Sequence, residues 1–226
     1  MVFIFVAVLL LAAVFRPGLW ARWVLARHGD PRPDFPGTGG ELARRLLDDG
    51  GLAEIRVEST GEGDHYSPDD KAVRLRPEHH DGTSLTAVAV AAHEVGHAFQ
   101  DRDGYAPLAT RTQLVKALRP IERAGAVIAM AGPVLGAVTF SPVIGLITVG
   151  AGILTMASSV VVHLVTLPVE FDASFARALP VLDRGGYIPR RDVTAARNIL
   201  RACALTYVAG ALASLLNLWR WIRFLR

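Results

Sequence analysis

His93-Glu94-Val95-Gly96-His97 decides how this chain is read. On an α-helix, residues four apart share a face, so His93 and His97 can offer imidazole nitrogens to one metal ion. Glu94 stands beside them, within reach of a metal-activated water as its general base. The flanks favour a helix: Leu85 to Ala92 runs in, Ala98-Phe99-Gln100 runs out, and the next proline is Pro107. Thr83 or Ser84 is placed to cap the start and Gly104 to stop the end. The competing reading is an accidental match. Against it, a buried helix seldom carries two histidines and a glutamate on or beside one face without a partner. The pattern predicts one catalytic Zn2+.

The rest of the composition narrows the class. Of 226 residues, 51% are hydrophobic, and the apolar ones fall in blocks rather than evenly. The mean hydropathy is +0.33, high for a soluble protein. Cys203 is the single cysteine, which excludes a disulfide framework and a cysteine-based zinc site. The net charge of +3 is carried mostly by arginine, since lysine occurs only at Lys71 and Lys116. Those arginines sit beside apolar segments, which reads as membrane topology with a lipid bilayer as partner, and no nucleic acid.

Residues 1–26 read as an N-terminal transmembrane anchor. Their charge-free core, residues 2–15, is followed rather than preceded by positive charge (Arg16, Arg22, Arg27), the reverse of a cleaved signal peptide. Residues 27–120 read as a cytoplasmic zincin-like catalytic region. It begins with a proline- and glycine-rich loop over 28–39, then a helix at about 40–49 with a Thr38/Glu41 capping box. Alternation in Glu54–Glu58 and Lys71–Arg76, with turn residues between, predicts a β-hairpin. In metalloproteases a strand just before the zinc helix commonly edges the cleft and receives an extended substrate; 71–76 is either that strand or simply the edge of a small sheet. Leu108 to Arg119 is amphipathic and is expected to lie along the membrane surface, entering the bilayer through Pro120.

Residues 124–168 form the longest apolar block, and 121–168 read as a transmembrane helical hairpin broken at Thr139-Phe140-Ser141-Pro142, with His163 as a buried polar contact. Residues 169–202 are polar and arginine-rich, a second cytoplasmic segment on the side of 27–120 by the positive-inside rule. Residues 203–226 read as a C-terminal membrane helix. Arg220, Arg223 and Arg226 would then fall outside, against the rule, unless that end lies in the interface with Trp219 and Trp221. The expected fold is mainly α, a multi-pass membrane protein of about four transmembrane helices. A small cytoplasmic α+β part carries the zinc helix and the hairpin.

A catalytic zinc needs a third protein ligand. Glu170 leads, because it stands where the third span leaves the membrane and an unpaired carboxylate there is costly. Asp172 is then a cap or a supporting contact. Asp183, in Leu182-Asp183-Arg184-Gly185, is a rival through a faint likeness to the third-ligand segment of site-2-type intramembrane proteases, although the helix here lies between polar stretches. His65, His79, His80 and Glu122 have no supporting spacing.

Four stretches resemble the YugP-type neutral zinc metallopeptidases of bacterial membranes: Ala87–Ala98, Gly104–Leu108, Leu167–Ser174 and Ala204–Ala209, with Asp64–Pro68 and Val73–Leu75 also similar. The resemblance covers most of the chain from 60 to 210. It implies a multi-pass zinc peptidase with His93, His97 and Glu170 as ligands and Glu94 as catalytic base. The Glu170 segment is also similar to that of HtpX-type and CAAX prenyl proteases, gluzincins that carry an aspartate where this chain has Ser174. Its supporting contacts must therefore be built differently. The developing oxyanion needs a further donor, for which Tyr207 and His65 are the candidates. The expected activity is endoproteolysis of membrane-associated polypeptides at the cytoplasmic face of the cell membrane. A membrane scaffold or chaperone holding zinc only for structure is the alternative, but it has no use for Glu94.

Overall fold

The computed structural model describes residues 2–224, except for the side chains of 2–14, 129, 133, 207 and 214–224. The chain runs α1 (Val2–Arg27), α2 (Gly39–Asp49), β1 (Arg56–Ser59), β2 (His65–Ser67), β3 (Ala72–Leu75), α3 (Pro77–His80), α4 (Leu85–Arg102), α5 (Ala106–Thr139) and α6 (Pro142–Phe171). A π-helical turn (Asp172–Ala178), α7 (Leu179–Arg184), a short 3-10 turn (Arg190–Asp192) and α8 (Val193–Phe224) complete it. It is mainly helical with a small sheet.

Local chemistry explains several boundaries. The Thr38 hydroxyl accepts from the Glu41 amide at 3.2 Å and the Glu41 carboxylate accepts from the Thr38 amide at 2.8 Å, so two backbone donors at the start of α2 are satisfied reciprocally. Leu42, Leu46 and Leu47 bury the apolar stripe of α2. Ser84 caps α4 by accepting from the Ala87 amide at 3.0 Å, and Gly104 follows the helix end at φ +62°. Every residue of α4 from Leu85 to Gln100 is buried. It is the central rod, packed by α2, the π turn, α8 and the strands.

The hairpin expected between 54–58 and 71–76 is not formed. β1 and β3 pair in parallel, and β2 pairs antiparallel with β3, giving the order β1-β3-β2. His65-Tyr66-Ser67 folds back onto β3 through a turn that places Lys71 at φ +49°, so β1 must attach to the other side. β3 is thus the buried middle strand, flanked by β1 and β2 as the two edges, so 71–76 is not the sheet edge expected of it.

Four long helices pack in the order α1, α8, α6, α5. The break at Thr139–Pro142 is real, with Phe140 at φ +49° ending α5. Leu108–Arg119 is not a separate surface helix: α5 continues through Pro120 to Thr139. Likewise α8 starts at Val193, ten residues before the apolar run at Cys203. Among the described residues, one helical run, Pro142–Arg184, is long and apolar enough to cross a membrane by length and composition. The basic C-terminal end, including Arg226, lies outside the described side chains.

Candidate metal centre

His93 and His97 project from one face of α4, their rings edge-to-face with centroids 4.8 Å apart. Glu170 arrives from the last turn of α6 and is 1% exposed. Its Oε2 lies 3.1 Å from His93 Nε2 and 3.6 Å from His97 Nε2. Two ligands about 2.05 Å from a tetrahedral ion stand roughly 3.3 Å apart, so these separations suit one zinc. Among the described residues this trio is the group whose ligating atoms, within 4.8 Å of one another, could hold a metal ion.

The outer contacts settle which nitrogens are available. The Ser174 hydroxyl donates to the Leu200 carbonyl at 3.2 Å, so toward His93 Nδ1, 3.1 Å away, it can only accept. The Gln100 amide nitrogen donates at 2.8 Å to both the Val169 carbonyl and the Asp172 carboxylate. That turns its oxygen to His97 Nδ1, at 2.9 Å. Both rings therefore carry their proton on Nδ1 when neutral and leave the Nε2 lone pair facing Glu170. Three lone pairs converge on one point, and Glu170 Oε1 is buried without a hydrogen bond. Neutral packing does not favour such a set; a divalent cation between the atoms does.

Gly96 makes this junction possible. A Cβ there would stand 2.6 Å from the Ala173 carbonyl oxygen, so only glycine lets α4 lie against the π turn. π turns of this kind often mark functional sites; here the turn starts two residues after Glu170 and brings Ser174 to His93. Burial pushes the Glu94 carboxyl up to about 7, with His93 opposing and Glu170 adding to the shift.

The profile of the family described as “Putative neutral zinc metallopeptidase” matches residues 1–226. This chain belongs to that family. It is 33% identical over 224 residues, 98% of this chain and 96% of the relative, to a Bacillus subtilis (strain 168) protein named “Putative membrane protease YugP”. No solved structure matches. The chain is thus a zinc peptidase by family, and the nitrogen and carboxylate donors above fit its metal.

The other candidates fall as follows. Asp183 is exposed on α7 and stands outside the metal-binding group. His79 is tied to Asp64 at 2.9 Å and His80 to Asp81 at 2.6 Å. Glu122 is half-buried on α5, and His163 packs against Gly210 of α8. His65 lines a cavity of about 420 Å³ that also reaches His97. The side chain of Tyr207 lies outside the described residues. Asp172 does support the site, through Gln100 and through Arg177 Nε at 2.7 Å. Two residues of the site, Gln100 and Arg111, are not singled out by the sequence patterns. Gln100 is one turn past His97 and fully buried, a detectable signal for an amide that must have partners. Arg111 carries no such signal, since it reads as the polar face of an amphipathic helix.

Proposed function

We propose that this chain is a membrane-embedded zinc endopeptidase that cleaves membrane-associated polypeptides at the cytoplasmic face. In this reading His93, His97 and Glu170 hold the metal and Glu94 moves the proton. The observation that carries it is the convergence of two Nε2 lone pairs and a buried carboxylate beside a second buried glutamate, Glu94. Zinc, when bound, supplies an acidified water and a polarised scissile carbonyl. Glu94 would accept a proton from that water and return it to the leaving amine.

The membrane half of the proposal has its own support. Met130, Val138 and Phe140 on α5 and Leu146, Leu154 and Leu164 on α6 are all more than half exposed. An apolar face of that extent is disfavoured in water and suits lipid. The helices α1, α5, α6 and α8 are read as the four spans, with the sheet, α2 and α4 on one side. Substrate would lie extended in the 420 Å³ cavity between β2 and the first turns of α5. The open edge of β2 can pair with its backbone, which makes few demands on its sequence.

Glu94→Gln tests the activity. The variant should retain zinc and lose cleavage of casein or of a reconstituted membrane-protein substrate. Cleavage at the wild-type rate would leave a structural zinc scaffold as the better reading.

A further inference from the structure

Arg111 stands in the second turn of α5, and its guanidinium Nη1 lies 3.8 Å from Glu170 Oε1. Its side chain is 27% exposed, and the exposed part lines the same cavity that His97 reaches. One arginine therefore borders a proposed metal ligand and the substrate space. A guanidinium keeps its charge at any working pH and presents several N–H donors in a rigid fork.

Three other polar groups of this wall are placed for other contacts. The Tyr66 hydroxyl donates to Asp101 at 2.7 Å. Lys116 pairs with Asp69 at 2.8 Å. The His65 ring donates from Nδ1 to the Gly63 carbonyl at 2.8 Å, so when neutral its Nε2 bears no proton to give. Peptide hydrolysis needs such a donor at one moment. Water oxygen bonds to the scissile carbon as its proton passes to Glu94 and the carbonyl π pair moves onto oxygen; that pair re-forms the C=O bond when the C–N bond breaks and the amine takes the proton from Glu94. Donors fixed in advance where this charge develops lower the barrier more than flexible ones.

We propose that Arg111 is a catalytic residue, donating from its guanidinium to the scissile carbonyl oxygen as negative charge develops there. This rests on the zinc-peptidase reading of the site. The alternative role for the same contact is positioning, in which Arg111 only steadies Glu170 for the metal.

The experiment compares wild type, Arg111→Ala and Arg111→Lys in detergent. Three quantities are read: zinc affinity by chelator competition, kcat and KM on a quenched peptide, and binding of a phosphinic peptide that mimics the tetrahedral anion. A fourth, binding of the uncleaved peptide, is measured in the Glu94→Gln background. Arg111→Ala should lower kcat by about 100-fold, the size seen when one oxyanion donor is removed. Phosphinic-peptide affinity should fall in parallel with kcat/KM, while zinc affinity and uncleaved-peptide binding stay unchanged. Arg111→Lys should recover part of both. Loss of zinc affinity with normal kcat at saturating zinc would overturn the proposal in favour of positioning. Unchanged phosphinic affinity would overturn it outright. A wild-type protein that binds zinc but neither cleaves peptides nor binds the phosphinic peptide would overturn the underlying peptidase reading instead.

Discussion

Gly96→Ala is the sharpest test of how this site is assembled. The added methyl would meet the Ala173 oxygen at 2.6 Å, its carbonyl carbon at 3.2 Å and its Cα at 3.3 Å. All three are backbone atoms, so no side chain can swing away. An ordinary carbon–oxygen contact is about 3.3 Å, so α4 and the π turn must part by roughly 0.7 Å. Functional constellations tolerate about 0.5 Å. Glu170 precedes that turn by two residues while His93 and His97 ride on α4, so the separation falls between the proposed metal ligands. Two energies compete: overpacking costs about 1–3 kcal/mol, while replacing a helical glycine by alanine gains about 1 kcal/mol. The net effect on folding is small, but the effect on the metal is not. Zinc affinity by chelator competition should fall at least tenfold with the protein still folded by circular dichroism. Gly136→Ala is the control, because its nearest neighbour is Ile144 Cγ2 at 3.9 Å. If Gly96→Ala binds zinc as tightly as Gly136→Ala, the close approach does not organise the centre.

Further outcomes follow from the same contacts. Ser174→Ala removes the acceptor that holds the proton on His93 Nδ1, and should weaken zinc binding by about 10–100-fold in the same competition assay. Glu170→Ala should lose bound zinc by elemental analysis while Asp183→Ala retains it; the reverse would restore the site-2-type reading. Asp64 governs acid stability. Burial raises its carboxyl, but the bond from His79 and those from the Arg76 amide and side chain outweigh it and hold it at about 2. A carboxyl lowered on folding stabilises above its unfolded value and stops doing so as pH falls toward its folded one. Asp64→Asn should therefore cost about 2 kcal/mol at pH 7, with the gap to wild type closing between pH 4 and pH 2 in denaturant titrations.

Much of the centre is legible in the order of residues along the chain. His93, Glu94 and His97 are set by the helical repeat alone, and Glu170 by the cost of a carboxylate at the end of an apolar run. The capped start of α2 and the break at Phe140 are equally local. The strand pairing is not legible, because His65–Ser67 is three residues long and too short to show alternation. Arg111 is hidden for a related reason: helical periodicity reports which face a residue occupies, not what that face meets.

Sequence alone thus determined the chemistry on offer, two imidazoles and a neighbouring glutamate on one helix, and the apolar blocks around it. These depend on residues a few positions apart, whose geometry the backbone repeat dictates. Tertiary structure decided which atoms of those groups are usable. Ser174 meets His93 across 81 residues and Glu170 meets it across 77, and only the packing of α4 against the π turn brings them together. Imidazole protonation, carboxylate burial and the arginine at the cleft are set by such distant contacts, which no local pattern encodes.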